Sequence, residues 1–293
     1  MKALIFLPIF IDSCSESSGG QMNTGSSSQC LEGVTNKLVL AKSQFRFATL
    51  ASFKTEADWA TAIEAKNIVP LFGVYEVVDE NTEPTKYTSG NFSYVTEKEV
   101  KKMSAESYLS ICSHKALKSY QVGDYTQVFE ITDKGEVLGV YDTDGVQVKG
   151  QDITEFDVQI RSRPTKEKPA FSKQMITYRD FEEFEDNGII VKEAWDIQTL
   201  NGIFGLTLEV QGTPTATEIQ VKALLGCGNS NFGSLVLADW AYTGGTITVS
   251  TYDAVTGIYT LEGVGLTSGN LTTDGVITVS SWLYEGETVA VTI

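Results

Sequence analysis

A single histidine, His114, is present in the 293-residue chain, and basic residues are scarce: 22 Lys and Arg stand against 38 Asp and Glu, for a net charge of -16 at pH 7. Duplex-binding proteins draw much of their affinity from Lys and Arg that neutralise phosphates. This balance therefore excludes tight nucleic-acid binding and attraction to anionic membranes. There are only four cysteines, Cys14, Cys30, Cys112 and Cys227, scattered with no CxxC pair, and the lone His114 stands near Cys112 alone, which excludes the usual zinc spacings. Cys14 and Cys30 flank a Ser/Gly-rich segment and their pairing stays open; reduced, packed cysteines are the expectation otherwise. No glycine-rich loop followed by a helix offers a phosphate cradle. What is present in globular proportion is apolar side chain, 42% against 20% charged, in a length that suits roughly two domains.

The stretch Asp124 to Arg163 organises the chain. Three runs rich in Val, Ile, Phe and Tyr alternate with polar residues, the period-2 signature of half-buried strands. Asp133-Lys134-Gly135 and Asp142-Thr143-Asp144-Gly145 break them with residues that tolerate a left-handed backbone. An antiparallel meander follows, in which Phe129, Ile131, Val137 and Val140 cover one face and Glu130, Thr132 and Glu136 stay wet. Asp142-x-Asp144-Gly145 also matches the start of a calcium loop, but the later oxygen ligands and the closing glutamate are missing, so a hairpin turn is the reading.

Upstream, Met1 to Ile11 resembles a secretion signal. Ile11, Asp12 and Ser13 before Cys14 fit a lipoprotein signal poorly, the expectation is that Met1 is retained, and the apolar run is too short to span a bilayer. The expectation is an apolar arm on the tether Ser13 to Ser28, which either docks on another subunit or forms a first strand of its own domain. Leu38 to Leu50 has strand spacing. Thr55 caps a helix carrying Trp59, Ala62 and Ile63 and ended before Pro70, with Trp59 as a core anchor. Leu71 to Val78 reads as a strand, Asp79 to Ser93 as a long exposed loop, and Tyr94 to Cys112 as a long strand or bent pair. His114 to Tyr120 suits a helical turn or two capped by Ser113; His114, with no nucleophile or carboxylate beside it in sequence, reads as a surface or capping residue rather than a general base. Phe171 to Tyr178 is a strand. Arg179 to Asn187 is a short helix with Phe181 and Phe184 on one side; Asp180, Glu182, Glu183, Glu185 and Asp186 form a solvated face.

From about Gly202 the composition shifts to Gly, Thr and Val, and Lys222 alone offsets eight acidic residues. Runs at Thr246 to Tyr252, Ile258 to Leu261, Val276 to Trp282 and Thr288 to Ile293, parted by glycine turns, point to an immunoglobulin-like β-sandwich. Trp240, Trp282, Tyr252 and Tyr284 offer a sugar-stacking surface in principle, with core positions as the simpler reading.

The order of features from Ser113-His114-Lys115-Ala116-Leu117, through VFEITDKGEVLGVYDTDGVQVKGQDITEFDVQIRSRP, to Tyr178-Arg179-Asp180-Phe181-Glu182-Glu183-Phe184 resembles virion tail-tube-like proteins of tailed bacteriophages infecting Bacteroidetes, including crAss-like phages. The match of pattern covers about residues 38 to 195. It implies a non-enzymatic tail or neck ring subunit in the virion, a homo-oligomer in contact with other tail, neck or capsid proteins and only passively with passing DNA. An acidic conduit repels phosphate and lets the genome slide; Asp142, Asp144 and Glu155 are one plausible lumen set. The overall expectation is a mainly β chain. Its parts are an apolar arm and linker (1–37), a tail-tube-like β-barrel or sandwich with short helices (38–200) and an immunoglobulin-like sandwich (201–293). No catalytic, cofactor or metal residues are assigned. A secreted or surface module adhering to carbohydrate or protein is the alternative. A hydrolase would need carboxylates that converge from distant parts of the chain.

Overall fold

The structure is a computed structural model that describes residues 10–11, 33–89, 92–180, 182–226, 230–280 and 282–293. It is mainly β and divides into two compact units, residues 1–200 and 201–293.

In the first unit the strands are β1 (Phe10–Ile11), β2 (Thr35–Lys42), β3 (Ile68–Pro70), β4 (Tyr75–Asp79), β5 (Thr85–Ser89), β6 (Phe92–Glu97), β7 (Lys102–Ser107), β8 (Tyr125–Thr132), β9 (Glu136–Tyr141), β10 (Val148–Lys149), β11 (Gln151–Val158), β12 (Ser172–Tyr178) and β13 (Gly188–Lys192). Among the described residues four short α-helices are interspersed: α1 (Leu50–Phe53), α2 (Glu56–Glu64), α3 (Ile111–Ser119) and α4 (Glu183–Asn187). All strands but β5 and β6 belong to one 11-stranded sheet, whose main path runs β1-β13-β9-β8-β11-β12-β7-β4, with β2 and β3 added at β8 and β10 at β9.

The sheet turns a corner at Gly150. The chain pairs with β9 through β10, then crosses to β8 through Gln151 and Asp152, and runs on against β12. A Cβ on Gly150 would lie 2.8 Å from the Val128 carbonyl oxygen, against backbone that cannot yield, so the crossing needs glycine. The third run of the meander thus bridges two strands instead of simply following the second. The corner folds the sheet over a core to which Leu38, Leu40 and Val128 contribute from one arm and Met103, Ala105, Phe156 and Ile176 from the other. The opposite face of β2 and β8 is also buried. There Trp59 packs its ring 4.8 Å from Phe47, 5.5 Å from Phe53 and 5.4 Å from Phe129, and donates its indole N–H to the Phe53 carbonyl at 2.6 Å.

Burial on both faces corrects the expectation that Glu130, Thr132 and Glu136 are wet: all three are buried. The Glu130 carboxyl accepts from Tyr178 OH and Thr35 Oγ1, each at 2.7 Å. Glu136 accepts from Gly33 N at 3.0 Å and Thr132 Oγ1 at 3.2 Å. The partners lie far along the chain or outside any periodic pattern, and burial without them would be prohibitive.

Several local expectations shift. β2 ends at Lys42, and the chain after it turns into α1, which carries the capping box Thr49–Ser52. Thr55 sits at the N-cap of α2 without capping it and donates its hydroxyl to the Ala51 carbonyl. The supposed loop Asp79 to Ser93 holds β5 and the start of β6, which pair as a separate two-stranded hairpin. The supposed strand Tyr94 to Cys112 divides into β6, β7 and the start of α3, whose cap is Ser110 and not Ser113. Cys112 is disulfide-bonded, against the expectation of reduced cysteines; Cys14, Cys30 and Cys227 lie outside the described residues. Of the N-terminal arm, Phe10 and Ile11 pair in parallel with Ile189 and Ile190 of β13 of the same chain. Its remaining residues, the tether Ser13 to Ser28, and Phe181 lie outside the described residues.

The second unit comprises β14 (Phe204–Gln211), β15 (Glu218–Leu225), β16 (Ser230–Asn231), β17 (Trp240–Tyr242), β18 (Ile247–Asp253), β19 (Ile258–Gly263), β20 (Gly269–Thr273), β21 (Ile277–Val279), β22 (Trp282–Gly286) and β23 (Val289–Val291). One sheet has the order β18-β19-β15-β14-β22-β21 and the other β17-β20-β23. Taking β14, β15, β17, β18, β19, β20 and β23 as seven successive strands, the first, second, fifth and fourth are neighbours in one sheet and the third, sixth and seventh in the other. That is the immunoglobulin constant-type arrangement, with the β21–β22 hairpin inserted before the last strand. Leu206, Val221 and Tyr259 from one sheet and Leu271 and Val291 from the other share one core.

Candidate assembly surface

The path of the large sheet ends at β4, four of whose five residues are exposed. Its pairing with β7 slips between Tyr75 and Val78, where Glu76 takes a left-handed φ of 50°. Such a bulge bends an edge strand and weakens it as a template for further pairing. Two lysines tie the region down. Lys168 Nζ lies 2.9 Å from Glu76 Oε2 and 2.5 Å from Glu106 Oε2, and its hydrogen bonds to Glu106 and Glu76 hold its pKa above the ordinary lysine value. Lys173 Nζ and Ser104 Oγ both reach Glu80 Oε1 at 2.7 Å, and these bonds hold that carboxyl below its usual range. At one end of β4, Tyr75 (55% exposed) and Tyr108 (39% exposed) bring their rings to 5.0 Å. Beyond the other end stands the β5–β6 hairpin, every described residue of β5 exposed.

The remaining candidates are not brought together. His114 is half-buried and its Nδ1 lies 2.9 Å from Ser172 Oγ, 58 residues away. This places a hydroxyl beside it that the sequence does not reveal, so it is neither a free surface residue nor a cap. Ser172 is fully buried within β12, and burial, with Lys118 and Arg161 nearby, lowers the imidazole pKa. Asp142 accepts from the Arg46 guanidinium and from Thr143 N; burial works to raise its pKa, and these bonds hold it below the usual value. Asp144 Oδ1 accepts from the backbone N–H of Val146 and Gln147, both at 2.9 Å. Both carboxylates thus help to build the turn, with Gly145 at φ 69°; Asp144 and Glu155 are exposed and Asp142 is half-buried. Glu155 borders a cleft of about 230 Å³ with Tyr120, Gln121, Tyr125 and Asp157. It is a polar hollow in which Gln121 already donates to Asp157.

The acidic helix is only partly a solvated face. Glu183 is drawn onto Lys149 at 2.6 Å and accepts from Asp152 N at 2.8 Å. The four aromatics of the second unit form two ring clusters instead of one platform: Trp240 and Tyr252 pack on Tyr259, Trp282 and Tyr284 on Phe204. Among the described residues no cluster of His, Cys, Asp and Glu could hold a metal ion, and no helix is long and apolar enough to cross a membrane. No protein-family model and no curated protein matches the chain.

Proposed function

We propose that the chain is a structural virion subunit of a tailed phage, assembling as rings in the tail tube, tail barrel or neck around the path of the DNA, without catalytic turnover. The observation that carries the reading is the uncovered margin of the large sheet. β4, the Tyr75–Tyr108 pair and the β5–β6 hairpin expose apolar and aromatic side chains that a solitary domain would be expected to cover. Two further features support it: the pattern resemblance over Ser113 to Phe184, and a charge of -16 that favours DNA passage over DNA binding. Negative-stain electron microscopy of the purified chain tests it. Rings or tubes are expected, and dispersed monomers at every concentration would overturn it.

The disulfide at Cys112 favours a second reading, a secreted or surface module that binds carbohydrate or protein, since such bonds persist in oxidising compartments. Thiol labelling of the chain made in a reducing cytoplasm separates the two. Protein that assembles with Cys112 reactive argues for the virion subunit, and protein that folds only once Cys112 is blocked argues for export.

A further inference from the structure

We propose that the β5–β6 hairpin of one copy seats its aromatic face on the Tyr75–Tyr108 pair of a second copy, in a head-to-tail contact that rests on the assembly reading above. In the hairpin, Tyr87 faces Tyr94 and Ser89 faces Phe92 across the two strands, so period-2 alternation puts Tyr87, Phe92 and Tyr94 on one face. Their rings form a ladder, Tyr87 to Tyr94 at 5.4 Å and Phe92 to Tyr94 at 5.7 Å, and they are 51%, 62% and 49% exposed. An isolated two-stranded hairpin is at best marginally stable in water and needs a partner for its apolar face. Among the described residues of its own chain, nothing pairs with this hairpin beyond its own two strands.

Charge and placement select a second copy. Chains of net charge -16 repel, so they meet most easily where charge is absent or already paired, as Glu76 and Glu106 beside Tyr75 are paired by Lys168. From Tyr87 to Tyr94 the ladder face carries no charge, while Lys86 falls on the opposite face with Thr88, Ser93 and Val95. The Tyr75–Tyr108 pair is the complementary aromatic patch. Tyr75 opens β4 and Tyr108 follows β7, whereas the hairpin joins the far ends of these two strands, Asp79 and Lys102. Ladder and patch therefore lie at opposite ends of one strand pair, whose β4 is roughly 14 Å long at about 3.4 Å per residue. A symmetric contact of hairpin on hairpin would leave Tyr75 and Tyr108 uncovered; a head-to-tail contact covers both patches and repeats from copy to copy, closing into a ring if the rotation allows.

Two variants test this by sedimentation velocity on the full chain: a ladder variant, Tyr87→Ser/Phe92→Ser/Tyr94→Ser, and a patch variant, Tyr75→Ser/Tyr108→Ser, each checked for folding by circular dichroism. Wild type is expected to form species larger than a dimer and each variant alone to stay monomeric. An equimolar mixture is expected to stop at a discrete dimer, because one intact ladder meets one intact patch and nothing propagates. Assembly of either variant as far as wild type, or a mixture that stays monomeric, overturns the contact while leaving ring formation by other surfaces in place. A wild type that is monomeric throughout overturns the contact and the assembly reading together.

Discussion

Removing the hydroxyl of Tyr178 isolates the contribution of the buried Glu130 site. The Tyr178→Phe variant keeps the aromatic ring, over which the Lys101 ammonium sits at 4.7 Å, and deletes only the donor at 2.7 Å from Glu130 Oε1. Glu130 retains Thr35 on its other oxygen, so one buried acceptor loses its partner. The expected loss is about 2 kcal/mol, within the range for hydrogen bonds to carboxyl groups, equivalent to a fall in Tm of about 4–8 °C for a unit of this size. Urea unfolding followed by far-UV circular dichroism measures it. A second variant, Tyr178→Phe/Glu130→Leu, replaces both partners by apolar groups and should be less destabilised than the sum of the single changes by at least about 1 kcal/mol. Burial, with Glu130 beside it, also raises the Tyr178 pKa well above its ordinary value. The stability from that shift is present below pH 10 and is lost as pH rises through the folded pKa, so wild type should converge on the variant in alkali. A Tyr178→Phe loss under about 0.5 kcal/mol, or strict additivity in the double variant, would refute the claim that these two groups hold each other.

In the second unit, burial pushes the Tyr259 phenol up to about 12; the shift of roughly two units stabilises the fold by about 2–3 kcal/mol below pH 10 and fades between pH 10 and 12. Phenolate absorbance should rise together with loss of the fold in that window, and Tyr259→Phe should flatten the alkaline limb. Gly150→Ala, with its Cβ forced to 2.8 Å from the Val128 oxygen, should cost about 1–3 kcal/mol in urea unfolding. Glu183→Gln leaves Lys149 with Asp152 at 2.8 Å as its remaining anion. A loss of about 1–2 kcal/mol is expected, nearly unchanged between low and high salt because the pair is shielded from solvent.

The β character and the immunoglobulin-like unit were legible because both rest on local signals, alternation and glycine turns, and α2 because Trp59, Ala62 and Ile63 recur at helical spacing. What escaped depends on distant partners. Glu130 looks solvent-facing until Thr35 and Tyr178 arrive from elsewhere in the chain, and Glu183 looks solvated until Lys149 meets it. The β5–β6 hairpin was hidden for a different reason. With Lys86, Thr88 and Ser93 on one face and the rings exposed on the other, neither face has the buried apolar set that makes alternation readable. His114 shows the limit for sites, since its neighbour Ser172 lies on a strand that no local motif connects to α3.

The inserted hairpin of the second unit has a mechanical consequence. β22 runs parallel to β14, with Phe204, Gly205 and Leu206 opposite Tyr284, Glu285 and Gly286. Tension applied between the start of β14 and the end of β22 pulls these two strands in opposite senses along their length. The pairing is then loaded in shear, so its hydrogen bonds share the force at once and must fail together. An antiparallel terminal hairpin pulled at its open end would peel one bond at a time. The insertion thus acts as a latch on the first strand of the sandwich.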